Sequence, residues 1–370
     1  MSDATPTTVL GWDSGAPDPA GPAIEPVLEV KNLHKEFSKR SSSDRALRRP
    51  GIRTIALDDV SLSILPREAL AIVGESGSGK TTLAHSLVRL VEPDAGHIEF
   101  RGRDILQAPR RDLPAIRRRI QLIYQDPYSS LNSALRIGDA IIEPALVHRL
   151  IAKDQAGARL EELMGQVGLT SALAERRPQA LSGGQRQRVA IARSLAAEPE
   201  VLVADEAVSA LDVSVQAQVI RLFARLQQEL GLTLIFVSHQ LATVAQLCER
   251  VAIMYRGRLV EVGPTSEVFA RPRHGYSSTL IRAHPGGRRM RDRASAAAPP
   301  APPSLDQPGC PFRHRCAFAE DICLSETPPA IWIAPGHMAR CHVLPHDAEL
   351  ASAAGIGGLM TPRRAAPTLT

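Results

Sequence analysis

The feature that most constrains the fold is a glycine-rich segment, Gly-Glu-Ser-Gly-Ser-Gly-Lys-Thr at residues 74–81, between an apolar run and a helical pattern. The run at residues 69–73 is typical of a buried strand, and Leu83, Leu87 and Leu90 recur at helical spacing after it. Glycines there let consecutive backbone N–H groups curl around an anion at a helix N-terminus. A chance glycine-rich turn is the alternative, but the flanking strand and helix favour a phosphate-binding P-loop.

The P-loop pattern assigns roles to individual side chains. Lys80 is expected to reach the β and γ phosphates of a nucleotide, and Thr81 to bind Mg²⁺. The predicted nucleotide-binding residues of this segment are Gly74, Ser76, Gly77, Ser78, Gly79, Lys80, Thr81 and Thr82.

A second buried-strand pattern, residues 201–204, ends in two acids, Asp205 and Glu206. Paired carboxylates at the end of a buried strand are costly to desolvate unless a charged partner is present. Asp205 therefore fits as the Mg²⁺ partner of the P-loop, and Glu206 as the base that orients or deprotonates an attacking water. An exposed acidic loop is the alternative, and the intact P-loop upstream disfavours it.

Composition and charge limit the classes of protein to which the chain can belong. With 44% hydrophobic and 22% charged residues, the 370-residue chain is typical of a globular protein with a sizeable core. The net charge of +5 lies partly in an arginine-rich stretch near residue 290, which a loop beside anionic lipid explains as well as nucleic acid does. We expect no nucleic-acid partner. No apolar stretch approaches the ~18 residues that span a bilayer, and no signal peptide is recognisable, so we expect a cytoplasmic chain whose membrane path belongs to other chains.

Composition and periodicity divide the chain into five predicted segments: disordered tails at 1–25 and 346–370, an α/β domain at 26–285, a linker at 286–309 and a cysteine-rich extension at 310–345. Within the α/β domain, alternating apolar positions before residue 64 predict an antiparallel β subdomain, interrupted by a polar surface loop at 38–53. Residues 126–185 lack strand signals and predict a helical subdomain.

A second glycine-rich helix start lies upstream of the acidic strand, Leu-Ser-Gly-Gly-Gln at residues 181–185. Ser182 and the following amides would form a second phosphate-binding device at a helix N-terminus. The segment resembles the signature of ATP-binding cassette ATPases. That resemblance implies a P-loop NTPase (RecA-like) fold with a parallel sheet core, ATP and Mg²⁺ as ligands, and a head-to-tail dimer with a second cassette. Each ATP would then lie between one P-loop and the partner's signature, whose binding residues are Ser182, Gly183, Gly184 and Gln185.

Further positions match the family in chain order. Gln125 resembles the Q-loop that senses Mg²⁺ and the γ-phosphate, Asp212 resembles the D-loop that lies near the nucleotide, and His239 resembles the switch histidine. The resemblance implies catalytic roles for Gln125, Glu206 and His239, and Mg²⁺ contacts from Thr81, Gln125 and Asp205.

The match to the family includes one further predicted contact and two positions that differ from the family's usual residues. Phe37 lies where the family has an aromatic residue that stacks on adenine, although a strand-end Phe buried in the core is equally expected. Ala207 stands where the family usually has Pro, and Gln240 where Asp is common. Neither change removes a reacting group, so we expect ATPase activity.

Two segments resemble the ATPase subunits of oligopeptide and dipeptide importers: Asp-Pro-Tyr-Ser-Ser-Leu-Asn at 126–132, and residues 263–269 followed by His274-Gly275-Tyr276. Gly275 is a deviation, because this subfamily usually reads His-Pro-Tyr. The resemblance implies two transmembrane permease subunits, an indirect extracytoplasmic solute-binding protein and a peripheral location at the cytoplasmic face of the inner membrane. Importers of nickel chelates or glycans share these features. A soluble cassette ATPase without transport is the remaining alternative.

Four of the five cysteines lie in the C-terminal extension, and their spacing matches neither a zinc ribbon nor a ferredoxin run. In a reducing compartment such clustering favours a metal over disulfides. The subfamily resemblance implies a [4Fe–4S] cluster, with zinc or free thiols as alternatives. Its predicted ligands are Cys310, Cys316, Cys323 and Cys341.

Overall fold

The computed structural model describes residues 24–39, 52–126, 131–283 and 307–343. The arginine-rich stretch, almost all of the two predicted tails, and most of the predicted linker and of the polar insertion lie outside these ranges. No helix within them is long and apolar enough to cross a membrane.

An antiparallel sheet forms the first layer, as the alternating apolar pattern predicted. Its strands are β1 Leu28–Lys39, β2 Ile52–Ile64, β4 Ala95–Phe100 and β5 Arg103–Asp104, in the order β2-β1-β4-β5. The β1–β2 ladder runs further than predicted, because Ser38 pairs with Arg53. The prediction of a surface loop over residues 38–53 is therefore wrong at both ends of that range, which belong to β1 and β2. Backbone hydrogen bonds of a ladder do not require apolar side chains, so periodicity alone underestimates the strand length.

A mixed sheet forms the second layer, in the order β11-β12-β10-β9-β3-β8-β7-β6. Its strands are β3 Ala69–Val73, β6 Ile120–Ile123, β7 Val201–Asp205, β8 Thr233–Ser238, β9 Arg250–Tyr255, β10 Arg258–Pro264, β11 Ile331–Ala334 and β12 His337–Ala339. Strands β6, β7, β8, β3 and β9 pair in parallel. Every residue of β3, β7 and β8 is buried, which explains their continuous apolar runs.

Helices cover the sheets and build a separate helical layer. They are α1 Lys80–Leu87, α2 Leu113–Arg119, α3 Ile137–Val147, α4 Ala156–Gln166, α5 Gly183–Leu195, α6 Val213–Leu230, α7 Leu241–Leu247, α8 Thr265–Ala270, α9 Gly275–Arg282 and α10 Ile322–Ser325. Helices α3 and α4 lie in the predicted helical subdomain, and both pack against α5. Short 3₁₀ turns connect these elements at Arg110–Asp112, Lys153–Gln155, Ser171–Leu173, Pro178–Ala180 and Arg313–Arg315.

The C-terminal extension is joined to the core sheet. Strand β12 pairs with β10, and β11 pairs with β12, so the extension adds a hairpin to the sheet edge. Phe312 is 1% exposed, and its ring centroid lies 5.4 Å from those of Tyr255 and Tyr276. Glu261 on β10 is fully buried, and its Oε1 lies 2.9 Å from Nε2 of His337 on β12. Apolar packing and a buried polar pair thus hold the extension against the cassette.

Replacing Phe312 tests this packing. Phe312→Ala is expected to lower the free energy of unfolding by about 3–5 kcal/mol, because it empties a site enclosed by two aromatic rings. Urea denaturation of the full chain measures the change. Phe318→Ala is the matched control, since this side chain of the same extension is only partly buried and should cost less. Equal losses in the two variants would contradict the anchoring role of Phe312.

Candidate nucleotide-binding site

The glycine-rich loop connects β3 to the N-terminus of α1. Gly79 occupies the N-cap position with φ 105°, and a Cβ there would lie 2.3 Å from the Ala56 carbonyl oxygen. Only glycine fits this position. No side chain caps α1, so its first N–H groups are available to an anion. Around them, Glu75, Ser76, Gly77 and Thr81 are exposed, Thr82 is half-buried, and Ser78 is buried.

Lys80 is held inside this loop. Its Nζ donates hydrogen bonds to the carbonyl oxygens of Gly74 and Glu75, both at 2.9 Å. Burial lowers the pKa of Lys80, while the nearby carboxylates of Glu206 and Asp205 act against that shift. The loop thus presents a cation together with free backbone donors, the combination that phosphate oxygens require.

Thr81 and Asp205 form a hydroxyl–carboxylate pair beside the loop. Thr81 Oγ1 donates to Asp205 Oδ1 at 3.3 Å, and Asp205 is 3% exposed. Burial raises the pKa of this carboxyl group against the opposing effects of His85 and Thr81. Two oxygens of this kind, one of them anionic, fit the hard Mg²⁺ ion, which is typically bound by few protein groups together with phosphate and water. The described residues therefore fit the metal that the motif predicts.

His85 is a site residue that the motif analysis missed. Its Nε2 lies 3.6 Å from Asp205 Oδ2. The signal was present in the sequence, because positions 81 and 85 are four apart and share one face of α1.

The three predicted catalytic residues lie together. Gln125 Nε2 donates to Glu206 Oε2 at 3.0 Å, and His239 Nδ1 lies 3.5 Å from Glu206 Oε1. Each residue follows one of the neighbouring parallel strands β6, β7 and β8. Since the carboxyl ends of parallel strands meet at one sheet edge, three distant segments converge on one carboxylate.

The backbone of Glu206 is held in an unusual conformation. Its φ is 46°, in the left-handed region that non-glycine residues rarely adopt. The Glu206 N–H donates to the Val237 carbonyl at 3.0 Å, and its own carbonyl accepts from the Ser209 N–H at 3.0 Å and the Ser209 hydroxyl at 2.9 Å. These bonds maintain a conformation that costs roughly 1–3 kcal/mol elsewhere, and strain of this kind is typical of functional sites.

The signature residues occupy another surface. Ser182 caps α5: its hydroxyl accepts from the Gln185 N–H at 3.3 Å, and its N–H donates to Gln185 Oε1 at 3.0 Å. A Cβ on Gly184 would lie 2.5 Å from Val215 Cγ1 on α6, so only glycine permits this packing. Asp212 precedes α6 and is exposed. In the described part of the chain, no hydrogen bond or ion pair joins residues 182–185 or Asp212 to the P-loop.

Phe37 lies on β1 with 43% of its surface exposed, and the Lys35 ammonium is 5.3 Å from its ring centroid. The alternative that placed this ring in the core is therefore wrong. An exposed aromatic face is compatible with stacking on adenine, which stays a prediction.

The four extension cysteines lie near one another: besides burial, the charges of neighbouring cysteines raise the pKa of the Cys310, Cys316 and Cys341 thiols. Cys310 Sγ lies 4.0 Å from His274 Nε2, Cys341 Sγ donates to the Val343 carbonyl at 2.8 Å, and Cys316 Sγ packs against Gly275. Burial raises the pKa of the Cys341 thiol to about 12, and the charges of the other three extension cysteines act in the same direction. Among the residues that the structure covers, no three Cys, His, Asp or Glu side chains form a metal-binding group. The comparisons and the described residues give the predicted [4Fe–4S] cluster no support, and it stays a prediction.

Comparisons with known proteins agree with this geometry. Residues 57–209 match the ABC transporter family, and residues 260–323 match the C-terminal region of oligopeptide/dipeptide transporters. The probable peptide ABC transporter ATP-binding protein y4tS of Sinorhizobium fredii is 44% identical over 344 residues, covering 92% of this chain and 97% of that protein. A putative peptide import ATP-binding protein of Brucella ovis is 41% identical over 322 residues, covering 85% and 97% respectively.

A solved structure shows the same fold. The ATP-binding cassette MJ0796, in a dimeric post-hydrolysis state bound to ADP and Pi, superposes with a TM-score of 0.57 at 27% identity. The match covers 64% of this chain and 98% of that cassette. The predicted α/β P-loop NTPase fold is thereby confirmed. The chain belongs to the ATP-binding cassette family of transporter ATPases, in the branch that carries the oligopeptide/dipeptide transporter C-terminal region.

Proposed function

We propose that this chain is the ATP-hydrolysing subunit of an importer for peptides. The observation that carries the proposal is the convergence of Gln125 and His239 on the Glu206 carboxylate, beside a P-loop whose Lys80 and Thr81 face acidic partners. Such a group suits phosphoryl transfer to water, which needs a positioned base and charge stabilisation. The peptide cargo is inferred from the names of the relatives and from the matched C-terminal region.

Each side chain has a distinct proposed task. The α1 N-terminus and Lys80 bind the phosphates of ATP. Thr81, Asp205 and Gln125 are the residues that would hold Mg²⁺, which neutralises charge on the phosphoryl oxygens when bound. Glu206 accepts a proton from, or orients, the attacking water, and His239 positions Glu206 from the neighbouring strand. Phe37 offers its exposed ring to adenine.

A second cassette completes the site in this proposal. Ser182 and Gly183 are exposed at the start of α5, and among the described residues no hydrogen bond joins them to the P-loop of the same chain. Beside them, Val213 follows Asp212 with 82% of its surface exposed. Anion-binding donors next to an exposed apolar residue suit a surface that faces another nucleotide-loaded subunit.

A groove beside the Q-loop is the proposed docking surface for the permease subunits. It has a volume of about 280 Å³, and its wall includes Leu90, Tyr124, Pro144 and Arg193. Leu90 and Tyr124 are 44% and 40% exposed. Tyr124 directly precedes Gln125. A partner bound in this groove would therefore respond to changes at the nucleotide site. The chain would then lie peripherally at the cytoplasmic face of the inner membrane, with a solute-binding protein acting indirectly on the other side.

No step of this proposal passes through an iron–sulfur group. Among the described residues, no three Cys, His, Asp or Glu side chains form a metal-binding group, so the cluster enters no step here. The proposed ATPase chemistry is complete without it.

Glu206→Gln is expected to bind ATP but to lower turnover by about 100-fold or more, because the amide cannot accept the proton of the attacking water. Calorimetric titration with ATP and a phosphate-release assay measure the two effects. The ATP-bound variant should also elute as a dimer in gel filtration. Unchanged hydrolysis would remove Glu206 from its proposed role.

Ser182→Arg is expected to leave ATP binding by the isolated chain within about twofold, but to prevent dimer formation when combined with Glu206→Gln, because a large cation would block the partner's phosphates. Ser171→Arg is the matched control, since Ser171 is another exposed serine outside the signature. Gel filtration with ATP distinguishes them. A dimer that persists in the Ser182→Arg background would contradict the shared site.

Leu90→Glu tests the groove. Purified in mild detergent from its native cells, the unaltered chain should recover two polytopic membrane proteins. Leu90→Glu should lose them while still binding ATP, because a carboxylate would be desolvated in the contact. Leu230→Glu is the control, since Leu230 is also 44% exposed but lies at the end of α6. Recovery of no membrane protein by the unaltered chain would argue against a transporter.

A further inference from the structure

The C-terminal extension reaches the P-loop directly. Arg315, in the 3₁₀ turn Arg313–Arg315, donates to both carboxylate oxygens of Glu75, at 3.2 and 2.9 Å. Glu75 is the second residue of the glycine-rich segment, 240 positions earlier in the chain. The planar guanidinium thus binds Glu75 in a bidentate fashion. Glu75 is the one carboxylate among residues 74–81 of the phosphate loop.

This carboxylate is unfavourable for an anionic ligand unless it is neutralised. Glu75 lies in the loop whose backbone donors receive phosphate, and like charges at such short range repel. Its charge already acts on Lys80, where burial lowers the pKa and Glu75 opposes that shift. Arg315 places a permanent positive charge against Glu75. The negative charge of Glu75 is therefore neutralised when the P-loop binds a nucleotide.

A second contact fixes the loop backbone. The Glu75 N–H donates to the Tyr276 hydroxyl at 2.8 Å. That N–H belongs to the same peptide unit as the Gly74 carbonyl, which accepts from Lys80 Nζ. A peptide unit is planar, so the bond to Tyr276 also sets the direction of the carbonyl that holds Lys80.

Residues of the extension hold Tyr276 in place. The Tyr276 side chain is fully buried, and its ring packs against Phe312 at 5.4 Å between centroids. The Arg315 guanidinium lies 5.4 Å from the Phe312 ring centroid. At the start of α9, His274 Nδ1 accepts from the Tyr276 N–H at 3.0 Å. Both contacts to Glu75 therefore depend on how the extension packs on the cassette.

We propose that Arg315 and Tyr276 are positioning residues of the ATP site, through which the C-terminal extension completes the P-loop. Arg315 neutralises Glu75, and Tyr276 orients the Gly74–Glu75 peptide against Lys80. This inference rests on the proposed binding of ATP at the P-loop. The Arg315 and Glu75 side chains are 37% and 44% exposed, so the pair adds little to folding stability, and its effect falls on nucleotide affinity.

Charge removal on either side tests the first contact, because the two changes have opposite expected signs. Arg315→Gln should raise the dissociation constant for MgATP by about three- to tenfold, whereas Glu75→Gln should lower it, because Arg315 is then left with an uncompensated positive charge. The double variant should bind within about twofold of the unaltered chain. The weakening by Arg315→Gln should shrink between about 0.05 M and 0.5 M salt, because screening acts on exposed charges. Calorimetric titration of the full chain measures these constants.

Arg313→Gln is the matched control. Arg313 lies in the same turn, but its guanidinium contacts the Cys310 carbonyl and Gln307 instead of Glu75. It should bind MgATP within about twofold of the unaltered chain. Loss of affinity in Arg313→Gln equal to that in Arg315→Gln would show that disturbing the turn, and not removing the charge, weakens binding, and would overturn the inference.

Tyr276→Phe tests the second contact while keeping the ring. It should raise the dissociation constant about two- to fivefold, because the Glu75 N–H loses its buried acceptor. Glu75→Gln should not reverse this loss, since the contact is to the backbone. Unchanged affinity in Tyr276→Phe would overturn the role of its hydroxyl.

Lys80→Ala separates this inference from the proposed function. If Lys80→Ala abolishes MgATP binding and Arg315→Gln binds like the unaltered chain, the positioning role of Arg315 is wrong and the proposed site stands. If Lys80→Ala binds normally, the proposed ATP site and the inference fall together. Opposite signs for Arg315→Gln and Glu75→Gln support both. Equal losses in these two variants would overturn the electrostatic role of Arg315.

Discussion

The parallel pairing of β6, β7, β8 and β3 is the constraint on which the rest of this structure depends. It brings the carboxyl ends of four parallel strands to one sheet edge, where each strand is followed by a residue with chemistry to perform. Glu206 receives Gln125 and His239 there, and Asp205 receives Thr81 and His85. Two carboxylates at the end of an apolar strand would otherwise be costly to bury, so these neighbours serve both stability and chemistry.

In the proposed dimer, the nucleotide site is built from two halves that lie on separate surfaces of the chain. Helix α1 begins with free donors next to Lys80, whereas at the start of α5 the side chains of Ser182 and Gln185 each accept from the other's backbone N–H. A helix N-terminus favours negative charge, so two such ends suit one anion only when different subunits bring them together. The solved cassette to which this chain is similar was determined as a dimer, bound to ADP and Pi.

The C-terminal extension is tied to the cassette by polar groups as well as by packing. Glu261 is fully buried on β10, where it meets His337 and accepts the N–H groups of Arg273 and His274. A buried carboxylate that lost these partners would be strongly unfavourable, so the docked arrangement of the extension is specific. Docking then places Phe312 against Tyr276 and Arg315 against Glu75. Through these contacts, the extension connects the edge of the core sheet at β10 to the phosphate loop.

Local patterns allowed the sequence alone to predict the strand, glycine-rich loop and helix around Lys80, the acidic strand end at Glu206 and the helix start at Ser182. These features depend on neighbouring residues: helical and strand periodicity, glycine at positive φ, and a side chain that caps its own helix. The roles of Gln125 and His239 were implied by the resemblance to the family, through their order among the other motifs.

Other features appear only in the tertiary structure. The addition of β12 to β10, the approach of Cys310 to His274 and the contact of Arg315 with Glu75 all join segments far apart in the chain. The exposure of Phe37 likewise depends on the completed sheet. No local pattern encodes such contacts, because their free energy depends on which surfaces the completed sheet brings together. The residues capable of the chemistry could therefore be named from the sequence, whereas only the fold decided which partners hold them.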